Sequence, residues 1–339
     1  MRFILIGSIT VLFFCKLNAQ VKPDIVVNKL SERENNELTK HLKKFKTFSI
    51  DKYELLDSLN RRGKCSFKLK VDADYSWNIL LSLNDMRSFD FTSDYTSDSG
   101  VFQHNIANVN TYKGLTSNGE IARFTIDEKE FSGIIIANNQ QIIIQQIRDF
   151  TNNVNDNGLV LFDRSDLIIS NDSIDTVTDM LVSISKTTAK NRSILKSGGS
   201  TNCAYYLQIL VDADYEFYQK MGGNVENTNC KIFSVLNMVE GVYESTYGMR
   251  FIISYCHIWT TISDPYSDTN DPFILLGEFT AFWDGIPVTR DISHLFTGRD
   301  FAGWGIADLG DETLLERDNC FGYSISEYRN EMFETTAHE

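Results

Sequence analysis

The chain has 339 residues, of which 42% are hydrophobic and 23% are charged. This composition is typical of globular proteins and excludes a disordered or low-complexity chain, and the length suffices for two or more domains. The formal net charge of −14 argues against a nucleic-acid-binding protein, because neutralising phosphates requires a basic face. Residues 203–339 carry a net charge of −15 and residues 20–202 a net charge of −1, which favours a division into two domains.

The first twenty residues have the pattern of a secretory leader. Arg2 precedes a 12-residue apolar run, residues 3–14, and Ala19 is a small residue at the expected cleavage point. The run is shorter than the ~20 residues that a helix needs to cross a bilayer. We therefore expect a signal peptide of residues 1–19, a secreted extracellular protein and no stable membrane anchor.

The part that follows the leader is rich in predicted strands. Residues 31–34 have the pattern of a capping box, and Leu38 and Leu42 continue the apolar face of the helix that it opens. Farther along, short alternating or β-branched runs are separated by Asn, Asp, Gly and Ser clusters, which predicts an antiparallel β domain. The runs are 65–71, 78–83, 121–126, 131–137, 140–147 and 158–162.

A polar segment, residues 184–202, is rich in Ser, Thr, Lys and Gly and predicts an exposed linker. Beyond residue 203 strands and helices alternate, which predicts an α/β domain with a mostly parallel sheet. The predicted helices are 225–247, 272–283 and 330–339, and the predicted strands are 205–211, 249–259, 292–296, 304–308 and 321–326. The sequence thus predicts a multidomain α+β protein with a β-rich domain at 20–183, a linker at 184–202 and an α/β domain at 203–339.

The last two residues of the sequence, His338 and Glu339, lie in the last predicted helix. Zinc peptidases carry His-Glu-x-x-His on a helix, because two histidines four positions apart face one metal ion and the Glu between them acts as a general base. The sequence provides the first two positions of that motif.

Several short motifs, taken in order, resemble the reprolysin (adamalysin-like) branch of the metzincin zinc peptidases. They are VDADYEFY (211–218), IWT (258–260), DPY (264–266), RDISHLFTGR (290–299), GIA (305–307), CFGYS (320–324) and AHE (337–339). Residues 111–150 also resemble the prodomain of this family, through TYKG (111–114) and the β-rich run that follows. The resemblance implies a β-rich prodomain and a metzincin-like catalytic domain whose mixed, mostly parallel sheet has an antiparallel edge strand.

The resemblance also implies roles for particular residues. His338 would be the first zinc ligand and Glu339 the general base, while the remaining zinc ligands and the Met-turn of the family would lie beyond residue 339. We therefore expect a C-terminally incomplete catalytic domain that binds one Zn²⁺ only in the complete protein, and we expect this chain alone to be inactive. A peptide substrate would bind along an edge strand formed by Gly303, Trp304, Gly305, Ile306 and Ala307. A Ca²⁺ site stays open, because Gln208 stands where the family has an acidic ligand, whereas Asp291 matches a second ligand.

The cysteines leave several pairings open. Five remain after the leader, an odd number for an exported protein, and the disulfide candidates among them are Cys203, Cys230, Cys256 and Cys320. By resemblance, the partner of Cys320 would follow the zinc helix; otherwise these four residues allow three connectivities. Cys65 is an alternative latency thiol for the zinc ion.

Four further polar residues have both a structural and a functional interpretation. His257 and His294 lie on predicted strands without a second ligand at suitable spacing, so we expect structural histidines held by hydrogen bonds. Asp212 and Asp214 are one residue apart, and capping at the end of a strand is favoured over a catalytic carboxylate pair.

Two functions from different classes follow from the sequence. The first is a secreted zinc metalloendopeptidase precursor, a zymogen that acts on peptides or proteins. The alternative is a non-catalytic secreted binding module with a metzincin-like fold. The codons that follow residue 339 in the gene distinguish them.

Overall fold

The computed structural model describes residues 25–26, 32–106, 110–137, 140–151, 158–168, 205–301, 305–307, 322–329 and 332–338. Outside these ranges lie the expected signal peptide (1–19), the expected linker (184–202), Cys203, Gly303, Trp304, Cys320 and Glu339. The described chain is a mixed α/β protein with two sheets.

The first sheet has nine strands in the order β1-β2-β11-β10-β9-β8-β7-β4-β3, and all neighbours are antiparallel. Its strands are β1 (Ile25–Val26), β2 (Lys46–Ile50), β3 (Lys64–Lys70), β4 (Ser76–Leu83), β7 (Thr111–Thr116), β8 (Ile121–Ile126), β9 (Phe131–Ala137), β10 (Gln140–Gln146) and β11 (Leu159–Asp163). Two helices accompany it, α1 (Glu32–His41) and α2 (Tyr53–Arg62). The antiparallel β domain predicted from the alternating runs is confirmed for these strands.

Both faces of this sheet are covered at its centre. Phe131 and Ile135 of β9 join an apolar cluster with Leu55 and Leu59 of α2. Ile134, which points to the opposite face because side chains alternate along a strand, belongs to a different cluster. β9 and β10 are rich in β-branched residues, which pack well on pleated surfaces that are covered on both sides.

The second sheet has seven strands in the order β15-β16-β14-β12-β13-β5-β6. Its strands are β5 (Arg87–Ser97), β6 (Gly100–Gln103), β12 (Tyr205–Ala213), β13 (Met249–Trp259), β14 (Ile292–Thr297), β15 (Gly305–Ala307) and β16 (Gly322–Glu327). The five inner strands are parallel, and the two edge strands β15 and β6 are antiparallel to their neighbours. The mostly parallel sheet with an antiparallel edge strand is thereby confirmed.

Beyond residue 204 the described ranges contain four helices: α3 (Tyr215–Lys220), α4 (Val225–Tyr247), α5 (Pro272–Trp283) and α6 (Met332–His338). The bounds of α4 follow from its caps. Asn224 accepts a hydrogen bond from the backbone N–H of Asn227, and Gly248 has φ 68°, the left-handed conformation that ends many helices. None of the helices in the described ranges combines the length and apolarity needed to cross a bilayer.

The sheets do not divide the chain where the composition shifts. The hairpin β5–β6 comes from the predicted β-rich domain, 20–183, yet β5 pairs in parallel with β13 of the second sheet. The two regions also share one apolar core, in which Ile134 and Ile143 lie with Ile232 and Phe233 of α4. Helix α4 lies between the two sheets and is buried without interruption over residues 232–241.

Candidate metal and substrate site

Helix α6 ends at His338, and its position is set by packing on α4. Met332 and Phe333 are buried in the shared core, and the Tyr243 hydroxyl on α4 donates a hydrogen bond to the Ala337 carbonyl at 3.3 Å. α6 also contacts β15 and β16. The structure thus confirms a helix at the His338 position, whereas the His338 side chain and Glu339 lie outside the described residues.

Strand β15 is the outermost described strand at this edge of the sheet. It pairs antiparallel with β16, with Ile306 opposite Ile325, and no described strand pairs with its other edge. Gly305, Ile306 and Ala307 are half-buried. An edge of this kind presents backbone N–H and C=O groups to which an extended peptide can add as a further strand.

A buried polar chain connects the sheet to α6. His294 on β14 makes two hydrogen bonds, from Nδ1 to Ser324 Oγ at 2.7 Å and from Nε2 to Ser326 Oγ at 2.6 Å. Ser326 Oγ in turn lies 2.7 Å from Thr336 Oγ1 on α6. Burial lowers the pKa of His294 to about 3, so the imidazole is neutral. Both ring nitrogens are occupied, which confirms His294 as a structural histidine.

Asp212 lies at the centre of an aromatic cluster. Its carboxylate accepts hydrogen bonds from Trp283 Nε1 at 2.7 Å, Trp259 Nε1 at 3.3 Å and the Tyr266 hydroxyl, and the residue is fully buried. Burial raises the pKa of this carboxyl above its usual range. The expectation of capping is therefore wrong for Asp212. No local pattern predicts this role, because the three donors come from distant parts of the chain.

Asp214, in contrast, caps as expected. Its Oδ1 accepts hydrogen bonds from the backbone N–H of Phe217 at 2.7 Å, at the start of α3, and of Gly298 at 3.0 Å. Asp214 and Asp264 also share Arg299, whose Nε and Nη2 lie 3.4 and 3.8 Å from their carboxylate oxygens. Burial raises the pKa of Asp214 to about 7 and that of Asp264 to about 6. Sequence reasoning missed this cluster, although its members lie within the motifs at 211–218, 264–266 and 290–299.

His257 is also structural, as expected. Its Nδ1 is hydrogen-bonded to Asp94 Oδ1 and its Nε2 lies 3.1 Å from Thr96 Oγ1, both on β5.

Asp291, the residue that matches a calcium ligand by resemblance, makes two hydrogen bonds to the backbone of Gln208. Its Oδ2 accepts a hydrogen bond from the backbone N–H of Gln208 at 2.7 Å, and its own N–H donates to the Gln208 carbonyl at 2.8 Å. Asp291 therefore holds the start of β14 against β12. Across the described ranges, no three His, Cys, Asp or Glu side chains are grouped to hold a metal ion. A Ca²⁺ site at Asp291 stays a prediction, and helix α6 carries His338, the expected zinc ligand.

Among the described residues, Cys65, Cys230 and Cys256 form no disulfide with one another. The other two candidates, Cys203 and Cys320, lie outside the described residues, so pairings with them stay predictions. Cys256 Sγ donates to Asn229 Oδ1 at 3.3 Å, and burial raises the pKa of Cys230 to about 12. Cys65 is buried in the cluster beneath α2, on the face of the nine-stranded sheet that is turned away from α4. Burial raises its pKa as well, which opposes the thiolate that a latency ligand requires.

Comparisons with known proteins place the second part of the chain in a family. Residues 205–339 match the family model Reprolysin_5, described as metallo-peptidase family M12. Disintegrin and metalloproteinase domain-containing protein 23 of Homo sapiens is 26% identical over 108 residues, which cover 32% of this chain and 13% of that protein. Disintegrin and metalloproteinase domain-containing protein 11 of Mus musculus is 26% identical over 128 residues, 37% of this chain and 16% of that protein.

The chain spans less than a fifth of the length of these curated relatives. Among solved structures, metalloproteinase-II from Bacteroides fragilis aligns with 84% of this chain and 82% of that chain, at 12% identity and a TM-score of 0.40. The family match covers the motifs from 211 to 339 that carry the resemblance, in their order. Residues 205–339 therefore belong to the reprolysin family of M12 metallopeptidases.

Proposed function

We propose that this chain belongs to a secreted zinc metalloendopeptidase precursor that hydrolyses peptide bonds in peptides or proteins. Residues 20–183 form its propeptide, 184–202 the linker, and 203–339 the first part of the catalytic domain. The observation that carries the proposal is the placement of α6, which ends at His338 and lies beside the edge strand β15. In a zinc peptidase of this family the zinc helix and the strand that holds the substrate must border the same cleft.

The chain's own residues would bind and orient the substrate. Gly303, Trp304, Gly305, Ile306 and Ala307 would pair with an extended peptide through the backbone. Gly305 keeps the approach clear, since it has no side chain to meet the incoming strand. The polar chain from His294 through Ser326 to Thr336 would fix α6 two residues before His338.

Zinc would supply a Lewis acid and an activated water molecule when bound. His338 is the proposed first ligand and Glu339 the proposed general base. The described residues form no three-ligand site for the metal. A catalytic zinc site needs three protein ligands, and we propose that the residues present do not hydrolyse peptides by themselves.

The gene provides the first test. The reading frame after codon 339 should complete His-Glu-x-x-His-x-x-Gly-x-x-His, with Glu339 as its Glu. A genomic stop codon directly after Glu339 would favour the non-catalytic binding module.

The second test uses the protein from the complete reading frame. Gly305→Pro should abolish peptide cleavage while the zinc content stays stoichiometric, because proline removes a backbone donor and clashes with a neighbouring strand. Gly305→Ala is the matched control, since it keeps the N–H. An unchanged kcat/KM in the proline variant would show that the substrate binds elsewhere.

A further inference from the structure

The described sheets have four edge strands, and β3 is the longest of them. β1, β15 and β6 have two, three and four residues, whereas β3 has seven. All seven pair with β4 in an uninterrupted antiparallel register, from Lys64 opposite Ser82 to Lys70 opposite Ser76. No described strand pairs with the other side of β3. A long and regular edge of this kind can accept a further strand through its backbone groups.

Hydrogen bonds at both ends of β3 show which of its residues turn their backbone groups to the open side. The Leu83 N–H donates to the Gly63 carbonyl at 2.7 Å, and the Val71 N–H donates to the Tyr75 carbonyl at 2.9 Å. In an antiparallel ladder such bonded pairs alternate with pairs whose backbone groups point away from each other, so the odd-numbered residues of β3 bond to β4. The even-numbered residues direct their N–H and C=O groups to the open side: Lys64, Ser66, Lys68 and Lys70.

The side chains of these four residues lie on an exposed face of the sheet, because β3 alternates strictly between exposed and buried positions. On the same face, Leu80 of β4 and Leu115 of β7 stand opposite each other as an exposed apolar pair. Burial lowers the pKa of Lys113 on β7, and the positive charge of Arg250 lowers it further. Strands β3, β4 and β7 contain no Asp or Glu and four lysines: Lys64, Lys68, Lys70 and Lys113. This edge is therefore positively charged, although the whole chain carries a net charge of −14.

The charges determine which strand the edge can accept. A second copy of β3 would place its own lysines against these lysines, and like charges that stand directly opposite each other destabilise a strand pair. A strand with a carboxylate at every second position has the matching sign. Its remaining side chains would turn to the face that α2 covers, where Phe67 and Leu69 lie in an apolar cluster. The edge thus fits a strand that alternates acidic and apolar residues.

We propose that the open edge of β3 is a docking site for an extended acidic segment of another protein, which adds to the nine-stranded sheet as a further strand. Backbone hydrogen bonds to residues 64, 66, 68 and 70 hold the segment, and its carboxylates lie on the lysine face. The proposal rests on the described residues of β3, β4 and β7 and is independent of peptidase activity.

The first experiment measures peptide binding to the full chain by fluorescence anisotropy. The probe is a labelled heptapeptide that alternates Glu and Val, and the control peptide has Gln in place of Glu. At low salt we expect the Glu peptide to have a dissociation constant at least tenfold lower than the Gln peptide, with a smaller difference in 1 M NaCl, because salt screens exposed charges. Absent binding of the Glu peptide, or equal affinities of the two peptides at low salt, would overturn the proposal.

The second experiment distinguishes strand addition from simple attraction to the lysines. Ser66→Pro removes an N–H that faces the open side and leaves the hydrogen bonds to β4 in place, as proline on edge strands usually does. We expect an unchanged urea midpoint and an affinity for the Glu peptide that is at least tenfold lower. Ser66→Ala is the matched control, since it keeps the N–H and should bind as the unaltered chain does. Equal affinities of the two variants would show that the peptide does not add to this edge.

A further pair of variants covers the case in which Ser66→Pro does not fold. Lys68→Glu should weaken binding of the Glu peptide at least tenfold, whereas Lys40→Glu, at an exposed position on α1, should leave it unchanged. Equal losses in the two variants would refute a specific site. Sedimentation of the free chain should show no association through β3, and a dimer that Lys68→Glu alters while Lys40→Glu does not would show that a second copy occupies the edge instead.

Discussion

The buried carboxylate of Glu240 on α4 gives a sharp test of how the two parts of the chain are joined. Glu240 has no exposed surface, and its Oε2 accepts a hydrogen bond from Asn84 Nδ2 at 2.7 Å. Its Oε1 accepts one from the Phe251 N–H at 3.2 Å. Arg123 Nε and Arg250 Nε each lie 3.4 Å from its carboxylate.

Glu240→Gln keeps the shape of the side chain and removes its charge. One side of the new amide is an NH₂ group, which faces the Asn84 and Arg123 donors where a carboxylate oxygen stood. A buried hydrogen bond to a charged acceptor contributes about 1.5–3 kcal/mol, and breaking a buried ion pair costs about 3–5 kcal/mol. We therefore expect the free energy of unfolding to fall by about 4 kcal/mol.

The matched control is Glu244→Gln, one turn farther along α4. Glu244 also pairs with Arg123, but its side chain is 34% exposed. Glu244 is the more exposed end of its pair, and Arg123 keeps Glu240 as a partner, so this variant should lose about 1 kcal/mol or less. Urea unfolding followed by circular dichroism measures both, and 1 M NaCl should weaken the Glu244 contribution only. Equal losses in the two variants would refute the assignment of Glu240 as the central charge of this contact.

Two further predictions concern Gly298 and Asp264, which lie beyond the carboxyl ends of β14 and β13. Gly298→Ala should lower the free energy of unfolding by about 3 kcal/mol in urea titration, because a Cβ there would lie 2.2 Å from the Glu216 carbonyl carbon. The control is Gly277→Ala, which should be neutral or stabilising because its Cβ meets open space. A similar loss in the control would contradict the steric argument. Burial raises the pKa of Asp264 to about 6, above its ordinary value. The protonated carboxyl therefore stabilises the fold by up to about 3 kcal/mol below pH ~4, and this stabilisation is lost as the pH rises through about 6. Asp264→Asn should flatten this fall in stability between pH 4 and 7, and an unchanged pH profile would contradict the assignment.

Local signals in the sequence were sufficient for most of the second sheet and its helices. The predicted helix at 225–247 is confirmed because Asn224 and Gly248 are strong caps, and the helix at 272–283 is confirmed because Asp271 caps it ahead of Pro272. The strand at 249–259 is confirmed as well, since a long apolar run between a glycine and a polar loop fits a buried parallel strand.

The hairpin β5–β6 could not be predicted in the same way. β5 is rich in Ser, Thr and Asp, residues that usually indicate loops, and it forms a strand because β13 pairs with it; Ser93 and Asp94 are its buried residues. Asp94, for example, owes its burial to Tyr255 and His257, more than 150 residues away in the sequence. At the candidate site, the sequence correctly predicts a helix that includes His338. The contact between α6 and β15 could not be predicted, because it depends on tertiary packing that no local pattern contains.

The polar character of β5 also bears on the synthesis of the protein. The ribosome completes β5 at residue 97 and reaches the end of its partner β13 only at residue 259. At about 5–20 residues per second the hairpin waits roughly 8–30 s for the strand that it will join. An apolar strand left unpaired for that time is prone to aggregate, whereas a strand of Ser, Thr and Asp stays hydrated until β13 emerges. We therefore expect the same polar composition that hides β5 from sequence analysis to limit aggregation of the nascent chain.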